Sequence, residues 1–194
     1  DYAVTALSGQ GLLMGTPGMT KGYLYGSPLR NDTQLYPFSR KADIVVINIG
    51  TNDYGYRDQY GITREDFRNA YLSFIRTVYN KNGKNCKIYC LYNSMNDTFA
   101  STILEVCASL GGEAAGLYTV RMNRTNSGHP NLEEQSKYAD MLVDLLTRTK
   151  DNAVTRPMGP FPEDDTQPST TLTLGAGEGE NEMVYLDTDF KSFP

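Results

Sequence analysis

Ala42-Asp-Ile-Val-Val-Ile-Asn-Ile49 is a nearly continuous apolar run that stops at Gly50-Thr-Asn-Asp53. A strand with one wet face alternates apolar and polar residues. A continuous run of this length, closed by a glycine turn, is the pattern of a strand buried on both faces of a parallel sheet. Downstream, Thr63-Arg-Glu-Asp66 reads as a capping box with Thr63 as N-cap. Behind it Phe67, Ala70, Tyr71, Phe74, Ile75 and Val78 recur at helical spacing, and Asn82-Gly83 ends the helix. Cys86-Lys-Ile-Tyr-Cys-Leu-Tyr92 is the next buried strand. A second helix starts at Asp97 or Thr98, runs through Leu110 and closes at Gly111-Gly112. Ala115-Gly-Leu-Tyr-Thr-Val120 is a further strand. Asn131-x-x-Glu134 caps a last helix, with Leu132, Tyr138, Met141, Leu142 and Leu145 facing inward. Upstream, Tyr2-Ala-Val-Thr-Ala-Leu7 reads as a short strand ended by Ser8-Gly-Gln-Gly11. Residues 12–40, rich in Gly, Pro, Tyr and Ser, read as a long ordered loop.

Strands alternating with helices predict an α/β fold, a three-layer α/β/α sandwich with a mainly parallel sheet. With 194 residues and 39% apolar side chains there is enough material for one such core. That core is expected in residues 1–149. The remainder, 150–194, has a different character. From 151 onward there are nine acidic and two basic residues, a net charge of −7, and five of the nine prolines. So few large apolar side chains cannot offset the entropy of ordering, and a disordered acidic tail is expected. Met183-Val-Tyr-Leu186 reads either as a short docking motif or as part of that solvated tail.

The net charge of −5 is wrong for a nucleic-acid binder held by a basic face. No apolar run is long enough for a membrane span. Cys86, Cys90 and Cys107 are too few and too irregular for a disulfide framework, and they lack the His partners of a zinc site. Cys90 and Cys107 fall in apolar patterns and are expected as buried thiols. Sequons at Asn31, Asn96 and Asn123 point toward secretion, and a chain beginning at Asp1 reads as a processed or partial one.

Ligands of parallel α/β sheets sit beyond the carboxyl ends of the strands. Three turns fall there: Ser8-Gly-Gln-Gly11, Gly50-Thr-Asn-Asp53 and Asn126-Ser-Gly-His129-Pro130. His129 is the only histidine of the chain, and Pro130 biases it toward an extended backbone. An imidazole titrates near neutrality and suits a general base. A surface loop histidine fits the same position. The Asn52 carboxamide can donate to a developing oxyanion, as can a main-chain N–H on a glycine turn such as Gly9. The alternative is an Asn-Asp turn that bonds its own backbone, which is the role expected of Asp53.

Taken together, the three turns resemble the SGNH (GDSL-like) hydrolase family, whose fold is flavodoxin-like. Gly50-Thr-Asn-Asp53 resembles its Gly-x-Asn-Asp block III, Gly9 its block II glycine, and His129 its block V histidine. The Ser-Gly-x-Gly-Leu opening, the Tyr/Pro-rich loop and Gly-His-Pro-Asn look most like carbohydrate esterase family 2. The resemblance covers residues 1–149. It implies a secreted or cell-surface esterase acting on acylated carbohydrate or another small acyl ester, with no metal or organic cofactor. Asn52 and the Gly9 N–H would be oxyanion donors, and His129 the base and then the acid of a two-step transfer through an acyl-serine.

Two departures accompany the resemblance. The family's Gly-Asp-Ser block, which carries the nucleophile on a first, central strand, does not occur. Ser8 occupies the block II turn and Ser127 lies two residues from His129, so neither fits the role. The chain is accordingly expected to be a partial SGNH domain without its nucleophile, and inactive as it stands. Asn126 also replaces the family's Asp three residues before the histidine. It can orient an imidazole but cannot stabilise its charge, which leaves a dyad or a dead site. Tyr23, Tyr25, Tyr36, Tyr54 and Tyr56 are candidates to line a sugar groove or simply to pack. Two other functions fit the same pattern: a non-catalytic glycan-binding module, and an intracellular SGNH hydrolase of lipid or thioester substrates.

Overall fold

The computed structural model describes residues 2–14, 18–25, 36–125 and 128–155, with the backbone alone at 20, 21 and 25. Asn31, Asn126, Ser127, the Tyr25 side chain and the tail from 156 onward, Met183–Leu186 included, lie outside the described residues. In chain order the elements are helix α1 (Met19–Tyr25), strand β1 (Ile44–Asn48), and helices α2 (Thr51–Gly55), α3 (Arg57–Tyr60) and α4 (Arg64–Asn82). Strand β2 (Lys87–Tyr92), helix α5 (Ala100–Ser109), strand β3 (Leu117–Arg121) and helix α6 (Leu132–Thr149) follow. The strands form a parallel sheet in the order β1-β2-β3, with helical crossovers between neighbours.

The helix α4 forms where capping and periodicity predict it. Thr63 accepts from the Asp66 N–H, and the Asp66 carboxylate accepts from the Thr63 N–H at 2.9 Å. Phe67, Ala70, Tyr71, Phe74, Ile75 and Val78 are all buried. With Ile103, Val106 and Cys107 of α5 they pack on Ile47, Ile88, Cys90 and Leu117 of the sheet. On the opposite face Tyr89, Leu91, Tyr118 and Val120 pack against Tyr138, Leu142, Leu145 and Leu146 of α6. The Tyr89 and Tyr118 rings stack at 4.8 Å, as their pairing in the β2–β3 register dictates. The helix–sheet–helix layering is the predicted one. The three cysteines are free and buried.

Strand β1 departs from two-sided burial. Ile44 is 38% and Val46 42% exposed, while Ile47 is buried. The register explains this. Ile44, Val46 and Asn48 stand beside Lys87, Tyr89 and Leu91, on the α6 face. The apolar cluster under α6 includes residues of β2 and β3 but none of β1. β1 is also an edge, since its only strand partner among the described residues is β2.

Five further expectations are corrected. Residues 2–7 form no strand, because an extended segment becomes one only by pairing its N–H and C=O groups with a neighbour. The 12–40 segment contains α1, anchored by Met19 in the core. The Gly50–Asp53 turn continues into helical turns α2 and α3, and α5 begins at Ala100, after a turn in which the Ala100 N–H bonds the Asp97 carbonyl at 3.0 Å. Leu132, expected inward, is 84% exposed, because the first turn of α6 precedes its contact with the sheet.

Candidate active site

Parallel strands end on one rim, so the segments after Asn48, Tyr92 and Arg121 all emerge there. After β1 the chain turns at Gly50, with φ 114°, and a Cβ at this position would meet the Phe67 ring at 3.0 Å. The turn delivers two adjacent polar side chains to the loop that follows residue 8. The Asn52 Nδ2 donates to the Gln10 carbonyl at 2.8 Å. The Asp53 carboxylate, fully buried, accepts the N–H groups of Leu12 (2.8 Å), Leu13 (2.7 Å) and Met14 (3.1 Å).

The sequence predicts that Asp53 satisfies its own turn; its carboxylate does take the Asp53 N–H, but it also reaches across the fold to the N–H groups of Leu12, Leu13 and Met14. Successive N–H groups of a tight turn converge on one spot, and a carboxylate fills such a nest better than a single turn acceptor does. Burial pushes the Asp53 carboxyl above its usual range, and the bonds from Leu12, Leu13 and Met14 pull the other way. Gly11 is the residue that permits this approach, because a Cβ there would lie 2.7 Å from the carboxyl group. Gly9 is exposed and would clash with nothing; it is glycine for its φ of 73°. The structure thus brings Asn52 and the Gly9-Gln10 turn together at the end of β1.

His129 stands on the same rim, exposed, after Gly128 (φ 94°) in the connection from β3 to α6. Among the described residues no hydrogen bond joins it to Asn52. Two inter-strand spacings separate the ends of β1 and β3, about 10 Å, so the two turns flank the end of β2. The rim loops are tied in series across that gap. Ser94 Oγ donates to Asn48 Oδ1 at 3.0 Å, and the Arg124 guanidinium donates to the Met95 carbonyl. A pocket lined by Asn48, Gly50, Thr51, Asn93, Ser94 and Phe99, among others, opens over the ends of β1 and β2.

The connection holding His129 is closed by Glu134, which is only 3% exposed. Its carboxylate accepts from Thr125 N (2.6 Å), Thr125 Oγ1 (2.7 Å) and Asn131 N (3.1 Å). The Asn131–Glu134 capping box is the predicted one. Thr125, Arg124 and Ser94 carry no sequence signal, since their partners are backbone or distant side chains. Asn126, the candidate orienting residue, lies outside the described residues.

The tyrosines divide. Tyr23 packs on Phe74 at 5.6 Å and receives the Asn82 amide at 2.8 Å, so it belongs to the core. Tyr36 packs edge-on to Phe38 at 4.9 Å. Tyr54 carries the Arg57 guanidinium over its ring at 4.2 Å, and Tyr56, 45% exposed, lies near Tyr60. They lie two and four residues after Asn52. Among the described residues no cluster of His, Cys, Asp and Glu could hold a metal ion, and no helix is long and apolar enough to cross a membrane.

No family model matches the sequence, and no curated protein matches it either. Solved structures do. A carbohydrate esterase family 2 enzyme with a carbohydrate-binding domain from Corynascus thermopiles (Myceliophthora fergusii) superposes with TM-score 0.61 at 24% identity, over 73% of this chain and 50% of that one. Over the matched residues the chain shares that structure's fold. An acetyl xylan esterase from the rumen bacterium Butyrivibrio proteoclasticus shares this esterase fold with TM-score 0.57 at 19% identity, over 72% of this chain and 49% of that one. A third carbohydrate esterase, whose active site is described as having divergent catalytic and non-catalytic binding functions, matches with TM-score 0.57 at 20% identity, over 74% and 52%. The chain spans about half the length of the esterases it matches.

Proposed function

We propose that the protein is a carbohydrate O-acyl esterase of the serine-hydrolase type, removing acetyl or another small acyl group. The observation that carries this reading is the 2.8 Å bond from Asn52 Nδ2 to the Gln10 carbonyl. It fixes one N–H of the carboxamide against the Gly9 turn and leaves the amide's second N–H as a donor. Asn52 and the Gly9 N–H would then stabilise the same oxyanion. His129 takes the proton of an attacking serine hydroxyl and returns it to the departing sugar oxygen. The resulting acyl-serine is cleared by water, which His129 deprotonates in turn. No serine of this chain is assigned as the nucleophile; Ser94, beside the pocket, has its Oγ committed to Asn48. Tyr56, exposed after this turn, would offer an aromatic face to a sugar, whereas one face of Tyr54 is covered by Arg57. The sequon at Asn123 is exposed, which favours a secreted or cell-surface protein.

The protein as its gene encodes it is to be assayed on p-nitrophenyl acetate and acetylated xylan. The expected result is an esterase inhibited by serine reagents and reduced by orders of magnitude in His129→Ala. Unchanged turnover in that variant removes the assigned base. The 194-residue chain alone is expected to give no burst of p-nitrophenol, and a burst would place the nucleophile within it.

A further inference from the structure

We infer that Glu134 is the positioning residue of His129, one buried carboxylate that closes both ends of the loop presenting the imidazole. The inference rests on the reading of His129 as the base. A capping box requires Glu134 only to accept the N-cap N–H, and Oε2 does so from Asn131 at 3.1 Å. The other oxygen, Oε1, reaches outside the helix to the start of the connection. There it accepts both donors of Thr125, N–H at 2.6 Å and Oγ1 at 2.7 Å. Residues 125 and 131 are therefore pinned to a single side chain, with His129 between them.

The Glu134 side chain is almost wholly buried, so these bonds are not readily exchanged for solvent. The arrangement continues toward the sheet, where Arg124 is held by the Met95 carbonyl. His129 itself is exposed. An exposed ring on a loop owes its place to the ends of that loop. Glu133, next in sequence, gives the contrast. It is exposed and paired with Lys137 at 2.6 Å, away from the connection.

A glutamine at 134 offers one acceptor oxygen, and its NH2 would face N–H donors, so one end of the loop must let go. The test is direct in the 194-residue chain, where the ring protons of the single histidine are the only imidazole signals in the proton NMR spectrum. In Glu134→Gln both ring resonances are expected to shift and broaden, while Glu133→Gln leaves them at their wild-type positions. Thr125→Val removes the Oγ1 bond and spares the capping box, and is expected to shift the ring signals by a smaller amount. Circular dichroism establishes that each variant is folded. If Glu134→Gln does not fold, Thr125→Val decides. Wild-type ring signals in every folded variant of 134 and 125 overturn the inference. The underlying catalytic reading fails separately. Ester hydrolysis indifferent to His129→Ala removes the base and leaves an effect of Glu134 on the ring standing.

Discussion

The carboxylate of Asp53, fully buried, accepts the N–H of Leu12 at 2.8 Å across 41 residues of sequence. With Leu13 and Met14 bonded to the same group, this one side chain fastens the block before β1 to the turn after it. Asp53→Ala strands three amide donors and is expected to lower stability by at least about 2 kcal/mol in urea titrations. Gly11→Ala should be similarly harmful, because its new Cβ falls 2.7 Å from the carboxyl group. In the double variant the methyl group finds room. The two losses should then sum to less than their separate values, and strict additivity would show that the pair does not interact.

In the complete gene product, Asn52→Ala is expected to reduce turnover of p-nitrophenyl acetate about 10²–10³-fold, the usual loss for one oxyanion donor. Its bond to Gln10 also orders the Gly9 turn, so part of the loss should appear as slower acylation of any serine reagent. Turnover within a factor of two of wild type would remove Asn52 from the oxyanion site.

Thr63→Ala is expected to cost about 1 kcal/mol through loss of the α4 N-cap. The variant also carries a pH signature. The Thr63 side chain, then its N–H, hold the Asp66 carboxyl below its ordinary value. A carboxyl depressed in the folded state contributes stability above its unfolded pKa and loses it as pH falls through the folded one. The gap between wild type and Thr63→Ala should therefore narrow below about pH 4. A gap of constant size would remove Thr63 as the cause of the depression.

At the alkaline end the sign reverses. Burial pushes the Tyr23 hydroxyl up to about 12 from 10.0, against the opposing bond from Asn82. The folded chain keeps this proton after the unfolded chain has released it. Stability from this group is complete below pH 10 and declines as pH rises to 12, by on the order of 2 kcal/mol. Tyr23→Phe should flatten that decline, and an unchanged alkaline slope would assign it elsewhere.

Local signals made much of the fold legible. Capping residues at 63 and 131, helical spacing from Phe67 to Val78, and the apolar run from 86 to 92 each act within a few residues. What was not legible depends on partners far along the chain. Nothing in Ile44 or Val46 tells that α6 stops short of β1. Nothing in Asp53 tells that its acceptors are wanted at Leu12–Met14 as well as on its own turn. The same holds for the site. Gly9, Asn52 and His129 could be placed on one rim from the alternation of strands and helices. The anchors that hold them there, Gln10, Thr125 and Glu134's second oxygen, are set by tertiary contact.

The outer border of β1 has a practical consequence for anyone handling the isolated chain. Five residues whose outer side has no strand partner among the described residues, Ile44 and Val46 included, form a template on which a second molecule can lay an additional ladder. Self-association should therefore grow steeply with concentration and begin at residues 44–48. A lysine at position 46 is the substitution that keeps preparations monodisperse, with little disturbance to the packed side of the sheet.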